Sequence, residues 1–126
     1  MKQEVKTWVA IGDSFTFLDG NPATALGGFQ KGYLGHTLEK LKFPVRLVHL
    51  GIDGGVTGNF FDLSLPEGDF YSILLGTNDW HAALYPSGAR EDFDAVNLST
   101  YVGHIALLIQ HIRQVNPNAW IFVLNP

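Results

Sequence analysis

Four short apolar runs, separated by stretches of helical period, constrain this chain more than any other feature. They lie near residues 7–11, 45–50, 70–75 and 119–124. The first (Thr7-Trp8-Val9-Ala10-Ile11), third (Tyr71-Ser72-Ile73-Leu74-Leu75) and fourth (Trp120-Ile121-Phe122-Val123-Leu124) are almost continuously apolar. Strands covered by helices on both faces read that way, whereas half-exposed strands alternate. Between the first two runs, Tyr33, Leu34, Leu38 and Leu41 recur on a helical period across Lys31 to Leu41, and Pro44 marks the exit. The longest helical pattern runs from about Asn97 to Val115, with Val102, Ile105, Ala106, Leu108, Ile109 and Ile112 on its expected buried side. Asn116-Pro117-Asn118 then turns the chain into the fourth run. This rhythm predicts a three-layer α/β/α domain built on a parallel sheet with right-handed crossovers.

In an open parallel sheet, sites form outside the carboxyl ends of the strands. Here the first strand ends at Gly12-Asp13-Ser14, the second at Gly51-Ile52-Asp53-Gly54-Gly55 and the third at Gly76-Thr77-Asn78-Asp79. Three small, polar tips are thus expected on one edge. Acyl transfer needs a nucleophile, a base and donors for the oxyanion. Ser14 offers the nucleophile. Glycine N–H groups of the second tip and the Asn78 amide offer donors that do not titrate. Alone, Ser14 reads equally well as a helix cap. Asp13 reads as a turn residue, and Asp79 as structural.

At these tips the sequence resembles the SGNH (GDSL-type) hydrolases, a family of esterases, lipases and acylhydrolases. Ile11-Gly12-Asp13-Ser14-Phe15-Thr16 is similar to the family's first block, with Phe15 where leucine or isoleucine is commoner. His49-Leu50-Gly51-Ile52-Asp53-Gly54 is similar to the second block, with His49 where the family has asparagine. Leu75-Gly76-Thr77-Asn78-Asp79 is similar to the third. The resemblance implies a flavodoxin-like sheet of order 2-1-3-4. It implies cleavage of carboxylic esters by Ser14, with the oxyanion held by the N–H groups of Ser14 and Gly54 and the Asn78 side chain. It implies no metal or organic cofactor, and a small-molecule ester as substrate.

The family's base comes from an Asp-x-x-His motif. None of the five histidines here has an acid three residues before it: Tyr33 precedes His36, Arg46 His49, Asn78 His81, Tyr101 His104 and Leu108 His111. The resemblance therefore implies that residues 1–126 form a single, incomplete domain, roughly the first two-thirds of a typical one, lacking a C-terminal strand and helix. The chain by itself is expected to be nearly inactive, and strand 120–124 to be an uncovered edge inviting a homodimer. His81 is a candidate substitute base, with a surface or loop-packing role as the plainer reading. His104 and His111, seven residues apart, are expected at a surface or interface. The loop from Phe15 to Gly28 and the segment from Trp80 to Phe93 are expected to shape the pocket.

Two other readings stay open. One is a catalytically dead module that keeps the pocket and binds. The other is Mg²⁺-dependent phosphoryl chemistry on Asp13, Asp53 and Asp79, although no phosphate-cradling loop or strand-end lysine accompanies them. Composition narrows the rest. Net charge is −4 without a Lys/Arg run, which argues against a nucleic-acid partner. The absence of cysteine excludes thiolate metal sites and a cysteine nucleophile. No run is long enough to span a membrane. The first six residues lack the apolar core of a signal peptide, so the default expectation is a cytoplasmic protein, or a secreted one whose export signal has been removed.

Overall fold

A computed structural model describes residues 4–20, 31–62 and 64–124. Its strands are β1 (Lys6–Gly12), β2 (Val45–Gly51), β3 (Phe70–Leu74) and β4 (Trp120–Leu124). Its helices are α1 (Ser14–Phe17), α2 (Tyr33–Lys40), α3 (Thr77–His81), α4 (Arg90–Asp94) and α5 (Tyr101–Val115), with a 3₁₀ turn at Thr57–Phe60. All four strands run parallel in the order β2-β1-β3-β4. The expected order 2-1-3-4 and the α/β class are both observed.

The apolar runs are continuous because β1 and β3 are covered on both faces. Val9 and Ile11 join Tyr71, Ile73, Leu108 and Ile112 in the core beneath α5. Trp8 and Ala10 point the opposite way and pack with Leu34 of α2. Alternate residues of one strand therefore feed two cores, which makes the three layers. Each fully buried Val, Ile or Leu side chain contributes about 1.5–3 kcal/mol.

Two expectations about helices change. The long helix begins at Tyr101, not near Asn97. Thr100 is its extended N-cap, and the Thr100 side chain accepts a hydrogen bond from Gly103 N–H. The segment from Asn97 turns back onto the helix so tightly that a Cβ on Gly103 would lie 1.9 Å from the Asn97 carbonyl oxygen. This turn rotates the buried face: Val102 and Ile109 are half-buried, while Gly103 and His104 go inside. Second, the loop expected from Phe15 opens with the helical turn α1, and its part from residue 21 onward lies outside the described residues. Asp19, just past α1, caps α2 at a distance by accepting from Gly32 and Leu34 N–H.

β4 pairs with β3 and has no second strand neighbour among the described residues. Ile121 faces the α5 core, whereas Trp120 is 72% and Phe122 50% exposed. Trp120, Phe122 and Leu124 line an apolar groove of about 440 Å³ with Trp8, Phe43 and Phe70. An apolar edge strand beside such a groove invites pairing with another chain. The 126-residue polypeptide is expected to self-associate. Light scattering across a concentration series checks this, and a monomer at all concentrations would contradict it.

Candidate active site

The register places Gly12 beside Gly51 on one side and beside Leu74 on the other. The segments that continue from these three residues therefore leave the sheet side by side. This is the physical reason that the three polar tips converge.

At the first tip, Asp13 is the cap of α1 and Ser14 is the first residue of its turn. Asp13 Oδ1 accepts from Phe15 N–H at 3.0 Å, and the Asp13 carbonyl accepts from Thr16 and Phe17 N–H. Capping thus falls to Asp13, leaving the Ser14 hydroxyl free of that duty. The Ser14 N–H sits at a helix start, where backbone donors have no partner within the helix. Ser14 is half-buried. Asp13 is buried, and its Oδ2 has no hydrogen-bond partner among the described residues. Burial pushes the Asp13 carboxyl above its ordinary range. The bond from Phe15 opposes this, and the nearby Asp79 charge adds to it.

At the second tip, Ile52 N–H donates to the Gly12 carbonyl at 3.0 Å, and Gly55 N–H donates to the Ile52 carbonyl at 2.9 Å. The chain reverses through Gly54 at φ +68°, a left-handed conformation that favours glycine. Gly54 is exposed, and nothing lies within 4 Å of where its Cβ would be. Backbone conformation, not crowding, is what calls for glycine there. Gly51 is the opposite case, pressed against the backbone of α1.

At the third tip, Gly76 (φ +130°) turns the chain into α3. Asn78 lies in the first turn, and its Nδ2 donates to the Gly55 carbonyl at 2.9 Å. An asparagine amide has two hydrogens, so this bond fixes the group and leaves one to donate. Asp79 is buried and structural in its contacts: it accepts from Thr57 N–H, Thr57 Oγ1 and the Tyr85 hydroxyl. A hollow of about 220 Å³ opens beside it, lined by Gly76, Asp79, Trp80, Tyr85, Ser87 and Tyr101. Burial first, and then the bond to Asp79, push the Tyr85 phenol up to about 12. Burial and then the Asp79 charge do the same for Tyr101. Neither phenol is a base at neutral pH.

No histidine hydrogen-bonds Ser14 among the described residues. His49 Nδ1 accepts from Gly51 N–H, and the exposed His81 packs its ring edge-on to Trp80 at 5.0 Å. His36 is exposed and His111 half-buried. His104 departs most from expectation: it is 8% exposed and bonded to Thr57 and the Leu98 carbonyl. Its place four residues before Leu108, on the buried stripe of α5, was the available signal. Thr57 and Tyr85 had none, because their roles arise only where separate loops meet. Among the described residues, no three His, Cys, Asp or Glu side chains group so as to hold a metal, and Asp53 stands exposed on its turn.

No family model matches the chain. No curated protein matches it. Solved structures do. A protein from Chitinophaga pinensis described as a possible lipase is 36% identical over 94% of this chain, with a TM-score of 0.83. A protein from Bacteroides uniformis described as a GDSL-like lipase is 16% identical over 96% of the chain (TM-score 0.65). An acetyl xylan esterase from Geobacillus stearothermophilus is 20% identical over 94% (TM-score 0.57). The chain spans 47%, 71% and 58% of these proteins' own lengths, respectively.

Proposed function

We propose that this chain, which belongs to the SGNH (GDSL-type) hydrolase family, carries the nucleophile and oxyanion hole of an enzyme that cleaves carboxylic esters. The Ser14 hydroxyl attacks the ester carbonyl. Ser14 N–H, Gly54 N–H and the unspent Nδ2 hydrogen of Asn78 receive the charge that develops on its oxygen. The alcohol leaves, and water then releases the acid from Ser14. A histidine supplied from outside residues 1–126, oriented by an aspartate, takes the Ser14 proton and returns it to the leaving alcohol. These steps use no metal or organic cofactor. The observation that carries the reading is the bond from Asn78 Nδ2 to the Gly55 carbonyl, which ties the side-chain donor to the turn presenting Gly54.

A second reading, a binding module that keeps the pocket without chemistry, draws on one fact: no histidine hydrogen-bonds Ser14 among the described residues. Two polypeptides separate the readings. One is the 126-residue chain. The other is a hybrid in which this chain replaces the matching stretch of the Chitinophaga pinensis protein. The chain alone is expected to hydrolyse p-nitrophenyl acetate at close to the buffer rate, and the hybrid to turn it over catalytically. A folded hybrid that binds but does not hydrolyse would favour the binding module. Turnover by the chain alone that disappears in Ser14→Ala would assign the base to this chain, with His81 the first residue to replace.

A further inference from the structure

Thr57, Asp79, Tyr85 and His104 meet around one hydroxyl oxygen. Thr57 Oγ1 lies 2.6 Å from Asp79 Oδ2, 2.6 Å from the Tyr85 hydroxyl and 2.8 Å from His104 Nδ1. Tyr85 also donates to Asp79 Oδ2, and His104 Nε2 stands 2.9 Å from the Leu98 carbonyl. Thr57 is fully buried, and Asp79 and His104 nearly so. The rings of Phe61 and Tyr85 meet that of His104 edge-on.

Counting hydrogens orients the cluster. A carbonyl only accepts, so His104 Nε2 donates to Leu98. Thr57 Oγ1 has one hydrogen to give and two lone pairs to receive, so a single atom links Asp79, Tyr85 and His104.

We propose that Thr57, Asp79 and His104 form a clamp of positioning residues for the Asn78 amide. The proposal rests on the reading of Asn78 as an oxyanion donor. Asn78 and Asp79 are consecutive in α3, and Gly55 and Thr57 are two apart in the facing loop. Asn78 on the Gly55 carbonyl and Thr57 N–H on the Asp79 carboxylate are therefore two rungs between the same two segments. His104 anchors the second rung to α5.

None of the ion pairs among the described residues includes Asp79. Hydrogen bonds from Thr57 and Tyr85 are what hold its carboxylate.

The test reads hydrogen exchange of the Asn78 side-chain amide by NMR in the folded 126-residue chain, referenced to the exposed Gln114 amide. Thr57→Val is expected to lower protection about tenfold, the scale of one lost hydrogen bond, and Thr57→Ser to restore it. Protection unchanged in a folded Thr57→Val variant, or not restored by Thr57→Ser, would overturn the proposal. If Thr57→Val does not fold, His104→Phe decides: protection equal to wild type overturns it. None of these readings needs turnover. The clamp can fail while Ser14 hydrolysis stands, and hydrolysis can fail with the clamp intact.

Discussion

Ser14→Ala in the hybrid is expected to lower kcat by about 10⁴-fold or more, with little change in KM. The proposed nucleophile is lost, and the other hydroxyl on the turn, that of Thr16, is buried and bonded to the Tyr33 hydroxyl. The loss should come without unfolding. The Ser14 side chain makes no hydrogen bond among the described residues, and the cap of α1 is supplied by Asp13. Stability should therefore change by no more than about 0.5 kcal/mol. Asn78→Ala should cost less, about 10²–10³-fold in kcat, as expected for one of the three proposed oxyanion donors. The ratio of the two effects is informative. Equal losses would mean that Asn78→Ala disturbs the position of Ser14 itself, through its bond to the Gly55 carbonyl. Steady-state kinetics on both variants, with circular dichroism as the folding control, gives the comparison.

Gly51→Ala is expected to produce a large loss of stability. A Cβ there would lie 2.4 Å from Phe17 N and 2.8 Å from both Phe17 Cα and the Thr16 carbonyl carbon. These are backbone atoms, so no rotamer change can relieve the overlap. The turn α1 must shift away from β2 and carry Ser14 with it. Overpacking of this kind costs about 3 kcal/mol. Gly54→Ala is the control. Its methyl enters open space, but φ +68° charges an ordinary residue about 1–2 kcal/mol. Urea denaturation should rank Gly51→Ala as the more damaging. A Gly51→Ala protein as stable as wild type would show that α1 is not seated against β2.

How much of this was legible beforehand depended on whether one segment carried its own signal. Continuous apolar runs announce doubly covered strands, and β1 and β3 are such strands. Asp13 at its turn and Asp79 in a structural role could likewise be read from residue type and place. The start of α5 could not, because the reversal at Asn97 that seats Gly103 is a tertiary contact. His104 was misplaced because its spacing from His111 outweighed its place four residues before Leu108, on the stripe that packs inward. The Thr57 cluster was invisible, since its members come from loops and helices with no sequence relation to one another. The tips themselves were readable, but what ties them together, Asn78 on Gly55 and Gly12 on Ile52, depends on three-dimensional register.

The strand order also bears on how the chain acquires its site during synthesis. β1 is central, and its two partners, β2 and β3, both precede α5 and β4 along the chain. A nascent polypeptide emerging amino end first can pair these three strands before the last one exists. At ribosomal speeds of about 5–20 residues per second, the stretch from the end of β3 to the end of β4 takes roughly 3–10 s to appear. For that interval the tips bearing Ser14, Gly54 and Asn78 can already stand together, with the α5 side of the sheet still bare. That bare face is the surface a chaperone would have to shield on the ribosome.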